Sequence, residues 1–209
     1  HYCENAAKFN LNDAANLVAN RYGNRDYSLR MAFSDCAEEP EPQPECNGSP
    51  TPLGYEPKDR SVLDTARTWT MVDTNAFSAD GQVKSLELFS GAANRGLRIG
   101  IYRPTGAACQ FTLVQQKEWP SFAPGYHKVE LTGSDIFQVK QGDHYGFTWL
   151  NYGVIDFDYS VQGHYCENAA QFNVNQAANL VANRYGNRDY SLRMAFSDCA
   201  EEPEPQPEC

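Results

Sequence analysis

The stretch GYHKVELTGSDIFQVKQGDHYGFTW, Gly125–Trp149, carries the pattern from which the fold is read. Val129 and Leu131 alternate with Lys128 and Glu130. After the break Thr132-Gly133-Ser134-Asp135 come Phe137 and Val139, and after Gln141-Gly142-Asp143 comes the aromatic run Tyr145, Phe147, Trp149. A period of two places successive side chains on opposite faces of an extended strand, and the Gly, Ser and Asp breaks supply the turns. Moving outward, Leu97, Ile99 and Ile101 alternate with Arg98, Gly100 and Tyr102, while Ile155, Phe157 and Tyr159 alternate with Asp156 and Asp158. Tyr190, Leu192, Met194 and Phe196 follow the same rule. With Trp69–Val72, Leu86–Phe89 and Phe111–Val114, about nine strands are predicted.

One-sided alternation is what an antiparallel sheet needs when one face packs on a core and the other meets water. The expected fold is therefore all-β: an antiparallel two-sheet sandwich, long enough for a jelly roll. The Ala- and Asn-rich stretch 168–187 is the exception, where a short helix near Gln176–Tyr185 closed by Gly186 is predicted. Taken with LRIGIYRP (97–104), the stretch 125–149 resembles the strand-turn-strand pattern of jelly-roll modules in extracellular carbohydrate-binding and adhesion proteins. There a Val-x-x-Gly-Asp turn, here Val139 to Asp143, introduces an aromatic strand. The resemblance implies the architecture and transfers no binding residue.

Residues 1–46 recur as residues 164–209, and only Lys8/Gln171, Leu11/Val174 and Asp13/Gln176 differ. A single compact domain has no use for a second copy competing for one packing surface, so the chain reads as slightly more than one period of a tandem array. The period of 163 is far longer than a solenoid repeat, so each unit is expected to own its core. The segment 37–59, with six prolines, six acidic residues and one lysine, reads as an extended linker. The expected organisation is then residues 1–36 as the C-terminal part of a preceding repeat, 37–59 as linker, 60–199 as a complete repeat, and 200–209 as the start of the next linker. Residues 37–59 and 200–209 together hold nine of the ten net negative charges, so the globular part is nearly neutral. That argues against nucleic acid as a partner, and no apolar run approaches the ~18 residues of a membrane span.

Seven cysteines become four per period: the equivalents of Cys46, Cys109, Cys166 and Cys199, with Cys3, Cys36 and Cys209 as copies. Four cysteines allow three connectivities. Cys166–Cys199, echoed by Cys3–Cys36, is favoured because both residues recur together, which leaves Cys46 with Cys109. Disulfides imply an oxidising compartment and a secreted protein, and the CxxC spacing of a zinc site is missing. Asn47-Gly48-Ser49 is the single N-glycosylation sequon.

Chemistry is sparse. The histidines are His1, His127, His144 and His164, with no nucleophile elbow, metalloprotease, phosphate-loop or dinucleotide motif around them, so no enzymatic activity, cofactor or metal is expected. Asp156 and Asp158 with Asp143 fall short of the six to eight oxygens calcium takes, and a solvated strand face explains them better. Tyr102, Trp119, Tyr126, Trp149 and Tyr152 offer a sugar-stacking platform, against which stands the commoner role of aromatics as core. Arg184, Arg188 and Asp189 read as a surface ion pair. The whole resembles tandem-repeat secreted proteins of matrices and adhesive fibres, which implies a self-assembling structural subunit of an extracellular filament whose partners are other copies of itself. The alternative is a multivalent carbohydrate-binding adhesin, in which repetition supplies avidity for glycans.

Overall fold

The computed structural model describes residue 46 and residues 48–60, 62–160, 162–182 and 186–199, all within the unit Pro42–Cys209. Expectations that fall on His1, Cys3, Cys36, Asn47, Arg184 and Cys209 lie outside the described residues.

The strands in chain order are β1 Thr51–Gly54, β2 Val62–Leu63, β3 Trp69–Ala76, β4 Gly81–Ser90, β5 Arg95–Pro104, β6 Gln110–Phe122, β7 Gly125–Glu130 and β8 Phe137–Val139. They continue with β9 His144–Trp149, β10 Asp156–Tyr159, β11 Tyr165–Asn168, β12 Ala177–Asn179, β13 Val181–Ala182, β14 Arg188–Tyr190 and β15 Leu192–Asp198. A single 3-10 turn, Gly133–Asp135, precedes β8, and there is no α-helix among the described residues. The described protein is all-β and its strands pair antiparallel, in three sheets. A five-stranded sheet runs β1-β15-β4-β7 with β8 also on β4, a three-stranded sheet runs β14-β10-β2, and a seven-stranded sheet runs β12-β6-β5-β9-β3-β11-β13.

One apolar core joins the three sheets. Val83, Leu86 and Leu88 of β4 and Leu192, Met194 and Phe196 of β15 meet Leu97, Ile99 and Ile101 of β5 and Tyr145, Phe147 and Trp149 of β9. Phe157 and Tyr190 of the three-stranded sheet close one end; the Tyr190 ring stacks within 5.0 Å of Phe147 and 5.1 Å of Phe157. These are the alternating residues of the sequence pattern, and their full burial is the main driving force for the fold.

The opposite face of the seven-stranded sheet is not left to water, contrary to the one-sided expectation. Val72, Tyr102, Phe111, Leu113 and Cys166 form a second cluster with Phe172, Ala178 and Leu180. The segment 168–182 lies over this face as a cover. It is held by main-chain bonds, Asn175 N–H to Leu113 O (2.7 Å) and Leu180 N–H to Cys109 O (2.9 Å), and by Arg98 Nη1 donating to Phe172 O at 2.8 Å. Over the described part of the predicted helix, residues 176–182, β12 and β13 stand in its place. Phe172, Ala178 and Leu180 need to reach a flat sheet, and backbone carbonyls of β6 and of the turn before it take N–H groups that a helix would use internally. Gly100 and Gly146 stand opposite each other in the β5–β9 ladder. A methyl group on Gly146 would come within 2.7 Å of both Met71 O and the Tyr102 ring, so the bare backbone there makes room for Tyr102.

Two further expectations change. Residues 48–59 were assigned to the linker by their prolines and acids, yet Thr51–Gly54 is a strand in register with Phe196, Ala195, Met194 and Arg193 of β15. Pro52, the proline within β1, sits on an edge strand, where the missing N–H removes no ladder bond that the sheet interior needs. The cysteines join as Cys46–Cys199 and Cys109–Cys166, which replaces the favoured pairing Cys166–Cys199 with Cys46–Cys109. Cys166 belongs to β11 and points into the outer layer of the seven-stranded sheet. Cys199 follows β15 in the five-stranded sheet, and each cysteine has a different partner within bridging reach, with Cα atoms 4.2 Å apart for Cys46–Cys199 and 5.3 Å for Cys109–Cys166.

Candidate functional site

The place where the chain enters and leaves the fold is chemically the most organised region. β1 and β15 are antiparallel neighbours with Thr51 opposite Phe196, so residues just before β1 and just after β15 fall at the same end of the ladder. Cys46 and Cys199 meet there with Cα atoms 4.2 Å apart. Cys46 is buried at 1% exposure; its carbonyl accepts from Lys84 Nζ at 2.9 Å, and the Cys199 N–H donates to Asp80 O at 3.1 Å. Both half-cystines are thereby fixed to the β4 end of the five-stranded sheet.

A cleft of about 720 Å³ adjoins this bridge, lined by Asp80, Arg103, Gln115, Gln138, Lys140 and Cys199 among others. Its polar groups are largely engaged with one another. Arg103 forks onto buried Asp143 with two 2.8 Å bonds, and Asp143 also accepts from the Lys140 N–H. Gln115 and Gln138 bond reciprocally, side chain to backbone. These bonds fix the shape of the wall.

The second bridge, Cys109–Cys166, ties the turn between β5 and β6 to β11, with Cα atoms 5.3 Å apart. Two disulfides of this kind persist in an oxidising compartment. Among the described residues no helix is long and apolar enough to cross a membrane.

The residues singled out by sequence are dispersed. Asp158 pairs with Arg60 at 2.9 Å, Asp143 pairs with Arg103 on the cleft, and Asp156 is buried, which pushes its carboxyl above the usual range. No group of three metal-ligating side chains occurs among the described residues. Of the five aromatics, Tyr102 and Trp149 lie in the two apolar layers. Trp119 packs against Phe122, Tyr126 stands on the edge strand β7, and Tyr152 is flanked by Arg67 and Arg95, each 5.5 Å from its ring. They form no common platform. Arg188 pairs with Asp64 at 2.8 Å and covers the Phe157 ring at 4.5 Å. His127 and His144 each bond a backbone carbonyl, of Ala123 and Asp73, and His164 is exposed.

Asp73 escaped notice in the sequence. It is fully buried on β3 and accepts from Tyr145 Oη (2.7 Å) and from the backbone and side chain of Asn75. Burial outweighs these bonds and raises its carboxyl above the ordinary range. Nearby, burial and the charge of Asp73 push the Tyr55 phenol up to about 12. The available signal was its phase: Trp69, Met71 and Asp73 share one strand face, so a carboxylate stands where the alternation calls for an apolar group. No protein-family model, curated protein or solved structure matches this chain.

Proposed function

We propose that the chain is a non-enzymatic structural subunit of a secreted, extracellular filament or fibre. Its units are two-sheet, jelly-roll-like sandwiches repeated in tandem, and its partners are other copies of the same chain. The observation that carries this reading is how the duplicated segment is used. Residues 165–198 supply β11 to β15, which enter all three sheets, and β15 sits between β1 and β4, pairing with β4 from Leu192 to Asp198 with one register shift between Ala195 and Phe196. Residues 2–35 repeat this sequence, while the complementary strands β1 to β10 are encoded once. All three positions that differ between the copies correspond to exposed residues, Gln171, Val174 and Gln176. Every buried position of the described copy is thus matched in residues 2–35, which equips the first copy to complete a unit provided by another body.

The bridges extend the same logic. Cys3 and Cys36 are the equivalents of Cys166 and Cys199, whose partners Cys109 and Cys46 are already taken within this chain. In an array, Cys3 and Cys36 would bond the Cys109 and Cys46 equivalents of the preceding unit, and Cys209 the Cys199 equivalent of the next. Assembly through the copied segment is favoured over pairing at the β7 edge, where Tyr126, Lys128 and Glu130 project and the last two pair at 2.7 Å. Charged edges resist added strands.

Sedimentation of the oxidised chain over a concentration series tests the proposal. Oligomers that grow with concentration, are visible as threads by electron microscopy, and vanish when residues 1–45 are removed are expected. A monomer at every concentration, with or without those residues, overturns it.

A further inference from the structure

We infer that the Cys46–Cys199 bridge removes the β-domain from the mechanical load path, so that tension along the chain runs through sulfur and the folded unit hangs from the thread unloaded. Cys36 is joined to Cys46, and Cys199 to Cys209, by the same nine residues, AEEPEPQPE. A pull applied through these segments arrives at Cys46 and leaves at Cys199. Their Cα atoms are 4.2 Å apart, and an intact disulfide cannot let them separate beyond roughly 7 Å. The alternative route, the 153 residues of peptide between them, would reach about 550 Å when extended at ~3.6 Å per residue. It stays slack at any tension the sulfur bridge survives.

The position of the bridge gives it this role. β1 and β15 are antiparallel, and the load would enter at the end where Thr51 faces Phe196. Without the bridge, force there would open the ladder one hydrogen bond at a time, the least resistant way to load paired strands, because each bond in turn carries the whole tension. The staple sits at the point where such unzipping begins. Hydrogen bonds hold both of its cysteines, Lys84 Nζ to Cys46 O and Cys199 N–H to Asp80 O. Burial of Cys46 limits access of an attacking thiolate. Cys109–Cys166 has no such role, since both of its cysteines lie inside the bypassed loop. The consequence is that the reach of the chain under tension is set by the segments outside the bridge and not by the fold. The inference does not depend on the filament proposal, because residues 1–45 and 200–209 already flank the bridge in this chain.

Force spectroscopy on the oxidised, thiol-alkylated 209-residue chain, tethered through tags at both termini, tests it. Only the 55 residues outside the bridge can then extend, so total release stays below about 200 Å. A dithiol added under constant force is oxidised to its own cyclic disulfide, while Cys46 and Cys199 take up two electrons and two protons as thiols. Cleaving this bridge first exposes 96 residues, the 153 less the 57 still closed by Cys109–Cys166, a step of about 350 Å, and cleaving the second adds about 200 Å. The double variant Cys46→Ser/Cys199→Ser gives the 350 Å release without reductant. That release follows from covalent length alone and appears even if the variant folds poorly. Cys109→Ser/Cys166→Ser keeps the oxidised limit. A release of 350 Å or more from the oxidised wild-type chain, or equal extension before and after reduction, overturns the inference.

Discussion

The two disulfides close loops of different length, 153 residues for Cys46–Cys199 and 57 for Cys109–Cys166, and they hold different parts of the molecule. The first joins the ends of a two-strand ladder at the margin of the five-stranded sheet and encloses almost every described residue. The second pins the turn between β5 and β6 to β11, beside the thin cover of residues 168–182. By chain entropy they are close, on the order of 5 and 4 kcal/mol, because the dependence on loop length is only logarithmic. Their difference therefore lies less in how much they stabilise than in where the fold opens when each is lost. A bridge at the boundary governs how the unit connects to the rest of the chain; a bridge in the outer layer governs whether that layer stays closed.

The comparison breaks most directly if both are removed separately. Cys46→Ser/Cys199→Ser is expected to lower stability by about 5 kcal/mol and Cys109→Ser/Cys166→Ser by about 4 kcal/mol in denaturant titrations. Amide exchange distinguishes them: the first variant should lose protection at Thr51–Gly54 and the end of β15, the second at 168–182 and β11. Identical exchange maps would show that the two bridges serve one cooperative unit in the same way.

A smaller effect sharpens the view of the outer layer. Gly146→Ala adds a methyl group 2.7 Å from Met71 O and the Tyr102 ring, and should cost about 1–3 kcal/mol by overpacking. Because Gly146 faces the cover, Cys109→Ser/Cys166→Ser should reduce that cost by letting Tyr102 move, whereas Cys46→Ser/Cys199→Ser should leave it unchanged. A thermodynamic cycle measures the coupling.

The smallest expected effect concerns pH and the inner layer. Asp73 has a folded-state carboxyl raised above its unfolded value by burial, so the native state holds its proton more tightly than the unfolded chain does. Its contribution is most favourable below the ordinary carboxylate range and is lost as pH rises through the folded-state value. Asp73→Asn keeps an acceptor for Tyr145 and Asn75 and should flatten this slope, read as the pH dependence of the denaturation midpoint. The disulfide variants should retain it. An unchanged slope in Asp73→Asn would assign the effect elsewhere, with Asp156, also raised by burial, the next group to replace.

Much of the strand content was legible in advance. Phe137–Val139 has the predicted bounds, and the runs at 97–101, 145–149 and 190–196 all lie in strands, the last broken only at Ser191 between β14 and β15. What escaped was short or polar. β1 lies among prolines and β12 and β13 among alanines and asparagines, and none carries enough alternation to be read alone. They become strands because their neighbours β15, β11 and β6 offer them ladders. The aromatic platform failed for a related reason: alternation says that Tyr102 and Trp149 lie on opposite faces, but not that both faces are covered.

From its residues alone this chain declares an extended, antiparallel protein with a copied segment and half-cystines at fixed intervals. Alternation, turn residues and repetition act between near neighbours or between identical strings, and need no third dimension to be seen. The pairing of Cys46 with Cys199 and the cover over the seven-stranded sheet were decided only by the tertiary structure. Each depends on which residues tens to more than a hundred positions apart become neighbours, and that is set by the packing of whole sheets, for which no local pattern carries a sign.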